Sequence, residues 1–148
     1  MGLRKMTVNI LLAIIMVICA AADIKKREIP IWIFIMLGGI ALIDGIFCKE
    51  YGFYQIAAGV IPGLLLLGLA KITEQSIGYG DGIVLAEIGC MAGAGGSMVI
   101  LSGALALAGI FSLGMLVIKK VDKRYRIPFV PFLTAAYLAV LCVQDRWI

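Results

Sequence analysis

Apolar segments alternate with short polar or glycine-rich breaks along the whole chain. The apolar segments cover residues 6–22, 29–47, 55–70, 82–94, 97–118 and 128–143. The hydrocarbon core of a bilayer is about 30 Å thick, and about 20 apolar residues in a helix cross it. The pattern therefore predicts an all-α integral membrane protein, a bundle of about six transmembrane helices that forms one domain over residues 1–148.

The composition favours the lipid bilayer over water as the surroundings of this chain. Of its 148 residues, 63% are hydrophobic and only 15% are charged. A soluble domain of this size has too high a surface-to-volume ratio to hide that much apolar surface. The net charge of +4 comes from basic residues that are not interleaved with aromatic residues on a soluble face, so no nucleic-acid partner is expected.

Basic residues are divided unequally between the two sides of the predicted bundle. With six spans, the side of the N-terminus carries four lysines and arginines, and the opposite side carries nine. The nine are Lys25, Lys26, Arg27, Lys71, Lys119, Lys120, Lys123, Arg124 and Arg126. The positive-inside rule places the richer side in the cytoplasm. This predicts a multi-pass protein of the inner membrane, with the basic segment 119–126 as a topology anchor on anionic lipid.

The first apolar segment has two interpretations. Arg4, Lys5, the apolar run and the three alanines at 20–22 resemble a signal peptide with a small-residue cleavage site. The distribution of basic residues instead favours a first helix that is retained in the membrane. We therefore expect the first segment to belong to the bundle.

Two aspartates are predicted at helix ends on the same side of the membrane. Asp23 follows the first segment and Asp81 precedes the fourth, and the segments between them alternate in direction. Charged groups at or below the interface are costly and tend to be functional. The fourth segment, at about 13 residues and 1.5 Å each, spans only about 20 Å, so one of its ends should lie below the surface. Irregular backbone there requires protein or a water-filled cavity beside it.

A pair of neighbouring carboxylates suits the hydrolysis of a peptide bond. In a low-dielectric site both cannot easily be ionised, so the pair is expected to share one proton. The ionised carboxylate can then take a proton from water, and the protonated one can hydrogen-bond the scissile carbonyl. A structural interpretation stays open for both residues: Asp23 as a solvated charge at a helix end, and Asp81 as a helix cap.

The remaining candidate groups lie in or near the fourth segment. Glu87 is six residues after Asp81 and points about 120° away from it on a helix, where it could line the cavity, bond a neighbouring helix or touch substrate. Spacings of the form Gly-x-x-x-Gly at 59–63 and 89–93 could allow two helices to approach closely. The chain has no histidine, and its four cysteines form no Cys-x-x-Cys pair, so no metal or other cofactor is expected.

Several of these features together resemble the type IV prepilin peptidases, which are membrane aspartic peptidases with a Gly-x-Gly-Asp motif. The matching residues are Gly78-Tyr79-Gly80-Asp81, Asp23 followed by basic residues and Ile29-Pro30, Leu85, Gly89, the run 93–96, and the closing sequence Ile127-Pro128-Phe129-Val130-Pro131-Phe132. The resemblance covers essentially the whole chain. Two positions depart from the pattern, since Ile31 stands where many members have asparagine and Ile83 where many have lysine.

The resemblance implies an aspartic endopeptidase that removes short leader peptides from prepilin-like proteins at the cytoplasmic face. Asp23 and Asp81 match the catalytic aspartates of the family, and Gly78, Tyr79, Gly80 and Glu87 are the expected substrate-binding residues. Larger members carry a region with paired Cys-x-x-Cys motifs and methylate the new N-terminus. This chain has no such insertion, so peptidase activity without methyl transfer is expected, and its compact form resembles the peptidases of tight-adherence pili.

Two other classes of function remain open at this stage. In a small transporter or channel subunit, Asp81 and Glu87 would be ion or proton ligands. Against this, the chain shows no internal repeat and no matched pair of broken helices. In a non-catalytic assembly subunit of an envelope machine, the glycines would serve helix packing alone.

Overall fold

A computed structural model of the chain describes residues 2–26, 30–48, 52–72, 78–118 and 128–144. The described part is helical and contains no strand. Its helices are α1 (Gly2–Lys26), α2 (Ile31–Cys48), α3 (Phe53–Ile72), α4 (Tyr79–Ile118) and α5 (Val130–Gln144). The basic segment 119–126, which the sequence predicts as a topology anchor, lies outside the described residues.

Three of the helices in the described part are long and apolar enough to cross a membrane. The corresponding stretches are Thr7–Lys25, Phe53–Ile72 and Tyr79–Val117. The apolar parts of α2 and α5, Ile31–Ala41 and Val130–Val143, are shorter. The structure is therefore that of a helical membrane protein, and the prediction of six spans is wrong for the described residues.

The outer surface of the bundle is apolar. Large side chains such as Ile35, Leu116 and Val117 are 68%, 70% and 85% exposed, and they belong to a broad set of outward-facing hydrophobic residues. Monomeric soluble proteins rarely expose contiguous apolar patches larger than a few hundred Å². These faces are suited to contact with lipid, which agrees with the length of the helices.

The core of the bundle lies between α1, α2, α4 and α5. Both α2 and α5 pack against α1 as well as α4, so α1 and α4 face each other across the space between them. The side chains of Leu12, Met16 and Cys19 of α1 are almost completely buried there. The single hydroxyl proton of Thr134 is shared between the Met16 carbonyl at 3.2 Å and the Val130 carbonyl at 2.9 Å, which links α5 to α1. The first segment is thus an integral part of the core.

Glycines bring α3 and α4 into backbone contact. A Cβ on Gly89 would overlap the carbonyl of Gly59, and one on Gly59 would overlap the carbonyl of Gly89. One turn further along α3, a Cβ on Gly63 would overlap the backbone of Ala86. Small residues spaced by four permit this approach in membrane helices, where van der Waals packing drives association. The two Gly-x-x-x-Gly stretches of the sequence therefore face each other.

Gly93 divides α4 into two halves, which we call α4a (79–92) and α4b (94–118). Its dihedral angles, φ 66° and ψ −175°, lie outside the helical region. A Cβ on Gly96 would stand 2.6 Å from the Ala92 Cβ, whereas positions four apart in a regular helix are about 5–6 Å apart. The chain therefore bends sharply at Gly93. The predicted fourth and fifth segments correspond to these halves. The sequence places the break between them at residues 95–96, because a run of glycines does not show at which glycine the helix bends.

Replacing Gly93 by alanine is expected to destabilise the fold by about 1–3 kcal/mol, because its φ and ψ belong to a region essentially restricted to glycine. Gly95→Ala is the matched control, since nothing lies within 4 Å of the added Cβ and no positive φ is required there. Thermal unfolding in detergent should show a lower midpoint for Gly93→Ala alone. Equal midpoints for the two variants would contradict the bend at Gly93.

Candidate functional site

Asp81 lies in the first turn of α4a, where its carboxylate closes the helix N-terminus. The Gly78 N–H donates a hydrogen bond to the Asp81 carboxylate, and the Asp81 N–H donates one to the Gly78 carbonyl at 3.2 Å. A carboxylate at the third helical position that reaches back to the capping residue is half of a capping box. The structural interpretation of Asp81 as a cap is thus part of its role.

The helix begins earlier than the sequence indicated. Tyr79 and Gly80 belong to the first turn of α4, although the sequence placed the helical segment from residue 82 onwards. The capping hydrogen bonds at Gly78 explain the difference, because they satisfy backbone groups that glycines alone would leave exposed. Gly78 and Tyr79 are exposed and Gly80 is half-buried, so these three predicted substrate-binding residues lie at the rim of the site.

Asp81 itself is buried, with 7% of its surface exposed. On one side, a Cβ on Gly78 would come within 3.2 Å of its Oδ2 atom. On the side of α3, Leu67 packs so closely on Gly82 that a Cβ there would stand 2.7 Å from the Leu67 Cγ. A carboxylate that is largely removed from water must find compensating partners. A structural cap alone does not require such burial.

Asp23 lies in the last turn of α1, which continues to Lys26 rather than ending at residue 22 as the sequence indicated. Its side chain is half-buried, and its charge acts on Asp81. The C-terminal end of α1 and the N-terminal end of α4a therefore lie on the same side of the bundle, within electrostatic range of each other. The structure thus places the two aspartates that the sequence singled out, 58 positions apart in the chain, within electrostatic range of each other.

Cys19 is a member of this region that the sequence did not single out. It lies one helical turn before Asp23, is completely buried, and is within electrostatic range of Asp23, Glu87 and Asp81. All three carboxylates are therefore near the same buried side chain of the bundle interior. The sequence contains one indication of this proximity: Cys19 and Asp23 are four residues apart, which puts both on one face of α1.

Glu87 is half-buried on α4a and packs against α2. Its Oε1 atom would stand 3.2 Å from a Cβ on Gly38, so the absence of a side chain at Gly38 makes room for the carboxylate. Its Oε2 atom is buried and has no hydrogen-bond partner among the described residues. Leaving a buried acceptor unsatisfied costs about 1–3 kcal/mol, and more for a charged group. Gly38 was not identified from the sequence, because nothing in α2 marks which glycine faces Glu87.

Within the described residues, no group of three or more histidine, cysteine, aspartate or glutamate side chains is arranged to hold a metal ion. The comparisons with known proteins add no identification: no protein-family model, curated protein or solved structure matches this chain.

Proposed function

We propose that this protein is a membrane-embedded aspartic endopeptidase. The observation that supports the proposal is that Asp23 of α1 lies within electrostatic range of Asp81 of α4a, where Asp81 is buried and Asp23 half-buried. A solvated charge at the end of one helix and a cap at the start of another would not need to lie within electrostatic range of each other. Paired carboxylates in low-dielectric surroundings are the arrangement that aspartic peptidases use.

In the proposed reaction the pair holds one proton between its two carboxylates. The ionised carboxylate takes a proton from a water molecule, whose oxygen attacks the carbonyl carbon of the scissile peptide bond. The protonated carboxylate hydrogen-bonds the carbonyl oxygen as negative charge develops on it, and a proton then passes to the leaving nitrogen as the C–N bond breaks. The Gly78 N–H, which donates to Asp81, fixes the orientation of that carboxylate.

The proposed substrates are prepilin-like proteins, which have a basic leader, a glycine before the scissile bond and an apolar helix after it. The exposed residues Gly78 and Tyr79 and the half-buried Gly80 would contact the substrate beside Asp81. The protein would act in the inner membrane with its site towards the cytoplasm, and it would cleave the leader without methylating the new N-terminus.

Purified protein in lipid vesicles, mixed with a synthetic peptide of this design, tests the proposal. The expected result is a single cut after the glycine, identified by mass spectrometry of both products. A peptide with valine in place of that glycine serves as the control and should be cut more slowly. An intact peptide after prolonged incubation with well-folded protein would count against the peptidase.

A second candidate function is supported by the buried Oε2 atom of Glu87. A carboxylate inside a membrane bundle can serve as a proton or ion ligand. Vesicles that contain a pH-sensitive dye distinguish this function from proteolysis. A proton flux that requires Glu87 and Asp81, without peptide cleavage, would favour the transporter.

A further inference from the structure

Glu87 lies further along α4a than Asp81 and is within electrostatic range of the same buried cysteine, Cys19. It follows Asp81 by six residues on α4a, which is about 9 Å along a helix at 1.5 Å per residue. Cys19, one turn below Asp23 on α1, is within electrostatic range of Asp23, Asp81 and Glu87. A substrate chain held at the aspartates could therefore reach Glu87 by continuing into the membrane.

The carboxylate of Glu87 packs against α2, but its hydrogen-bonding capacity is not fully used. Gly38 of α2 lies against Oε1, while the buried Oε2 has no hydrogen-bond partner among the described residues. An ionised carboxylate offers about four acceptor positions. Neither the proposed acid–base steps nor the cap at Gly78 uses this side chain. A donor from outside the described helices would complete it.

We propose that Glu87 accepts a hydrogen bond from a main-chain N–H of the substrate, on the apolar side of the scissile bond. This inference rests on the proposed peptidase function. An extended peptide advances about 3.3 Å per residue, so 9 Å corresponds to roughly three residues. The donor is therefore the N–H of about the third residue after the cut, in the segment that enters the bilayer. Glu87 would then determine which register of the apolar segment is presented to the aspartates.

A peptide in which one amide is replaced by an ester tests this contact, because the ester removes a single N–H and keeps the shape of the chain. Esters placed at the second, third and fourth residues after the cut cover the expected position, and an ester at the eighth is the control. For the wild-type protein, one of the three should lower kcat/KM by about ten- to a hundredfold. The loss should appear mainly in KM, because the contact is present in the ground state and the transition state alike.

The same peptides are then measured with Glu87→Ala and Glu87→Gln. Glu87→Ala should raise KM for the all-amide peptide by a similar factor, and the sensitive ester should cause no further loss. Glu87→Gln keeps an acceptor oxygen and should recover part of the affinity. A purely structural role for Glu87 would leave the ester effect unchanged in all variants.

Gly38 and Gly39 provide a matched pair on α2. A Cβ on Gly38 would stand 3.2 Å from the Glu87 Oε1 atom, so the carboxylate must shift by a few tenths of an ångström, whereas nothing lies within 4 Å of a Cβ on Gly39. Gly38→Ala should therefore raise KM severalfold and weaken the ester effect, and Gly39→Ala should do neither. The difference between the two should disappear when Glu87 is alanine.

Three results would overturn the inference. They are an ester effect of equal size with and without Glu87, no ester effect at any of the three positions, and an unchanged KM for Glu87→Ala. The last would mean that Oε2 holds only a resident water. If wild-type protein cuts none of the peptides, the peptidase function fails and the inference fails with it. If the peptides are cut equally well with and without Glu87, the proposed peptidase function stands and only the contact with Glu87 is refuted.

Discussion

Asp81→Asn is expected to lower kcat for peptide cleavage by at least about a thousandfold while the protein stays folded. Asparagine has no proton to share and cannot act as general acid or base. It still offers an oxygen to the Gly78 N–H, so it retains the capping hydrogen bond that holds the first turn of α4a. The substitution therefore separates the two roles of this residue. A purely structural Asp81 would tolerate it with activity unchanged.

Asp23→Asn should produce a loss of the same order, because each carboxylate is useful only with the other. Asp44→Asn, in α2, is the control for the chemical change and should retain activity. Initial rates by chromatography and unfolding by circular dichroism should be measured on the same preparations. Cleavage at more than a tenth of the wild-type rate in either variant would remove that residue from the catalytic pair.

Gly89→Ala is expected to destabilise the bundle by at least about 2 kcal/mol. The added Cβ would overlap the Gly59 carbonyl, so α3 and α4a would have to separate along their whole contact. Overpacking of this kind typically costs about 1–3 kcal/mol and occasionally more, and here the obstacle is backbone that cannot rotate away. The gain in helix propensity from glycine to alanine, about 1 kcal/mol, offsets only part of the cost.

Gly109→Ala is the matched control for this prediction. It lies on the second half of the same helix, and nothing is within 4 Å of its added Cβ. It should leave the unfolding midpoint unchanged or raise it slightly, since only the propensity term remains. A Gly89→Ala protein as stable as Gly109→Ala would contradict the close approach of α3 and α4a.

The helical class and the approximate positions of the helices could be predicted from the sequence, because apolar runs between polar breaks are typical of helices in lipid. The connection between the predicted fourth and fifth segments could not be predicted. All four residues of the run 93–96 are small. Which of them bends the helix depends on φ and ψ values, and these cannot be read from the sequence. The count of six spans is wrong here, where two predicted segments form one bent helix, and at α2 and α5, whose apolar stretches are shorter.

The placement of Asp23 and Asp81 within electrostatic range of each other could be predicted, because alternating helix directions put the end of α1 and the start of α4 on one side. The surroundings of the two aspartates could not be predicted. That Gly38 rather than Gly39 faces Glu87 depends on the rotation of α2 about its axis, and α2 is so uniformly apolar that its sequence does not determine this rotation. The burial of Cys19 beside all three carboxylates likewise follows from packing across the bundle.

Chemical cross-linking between positions 23 and 81 measures most directly whether the two carboxylates share a site. Cysteines would replace Asp23 and Asp81 in a variant whose natural cysteines are alanine, and a short bifunctional thiol reagent would be added to the protein in vesicles. A second variant pairs position 81 with Ile14→Cys, which lies outward on α1 about 13 Å further along the helix. Rapid intramolecular linkage of 23 to 81, with little of 14 to 81, is the predicted result. Linkage of 23 to 81 no faster than that of 14 to 81 would contradict it.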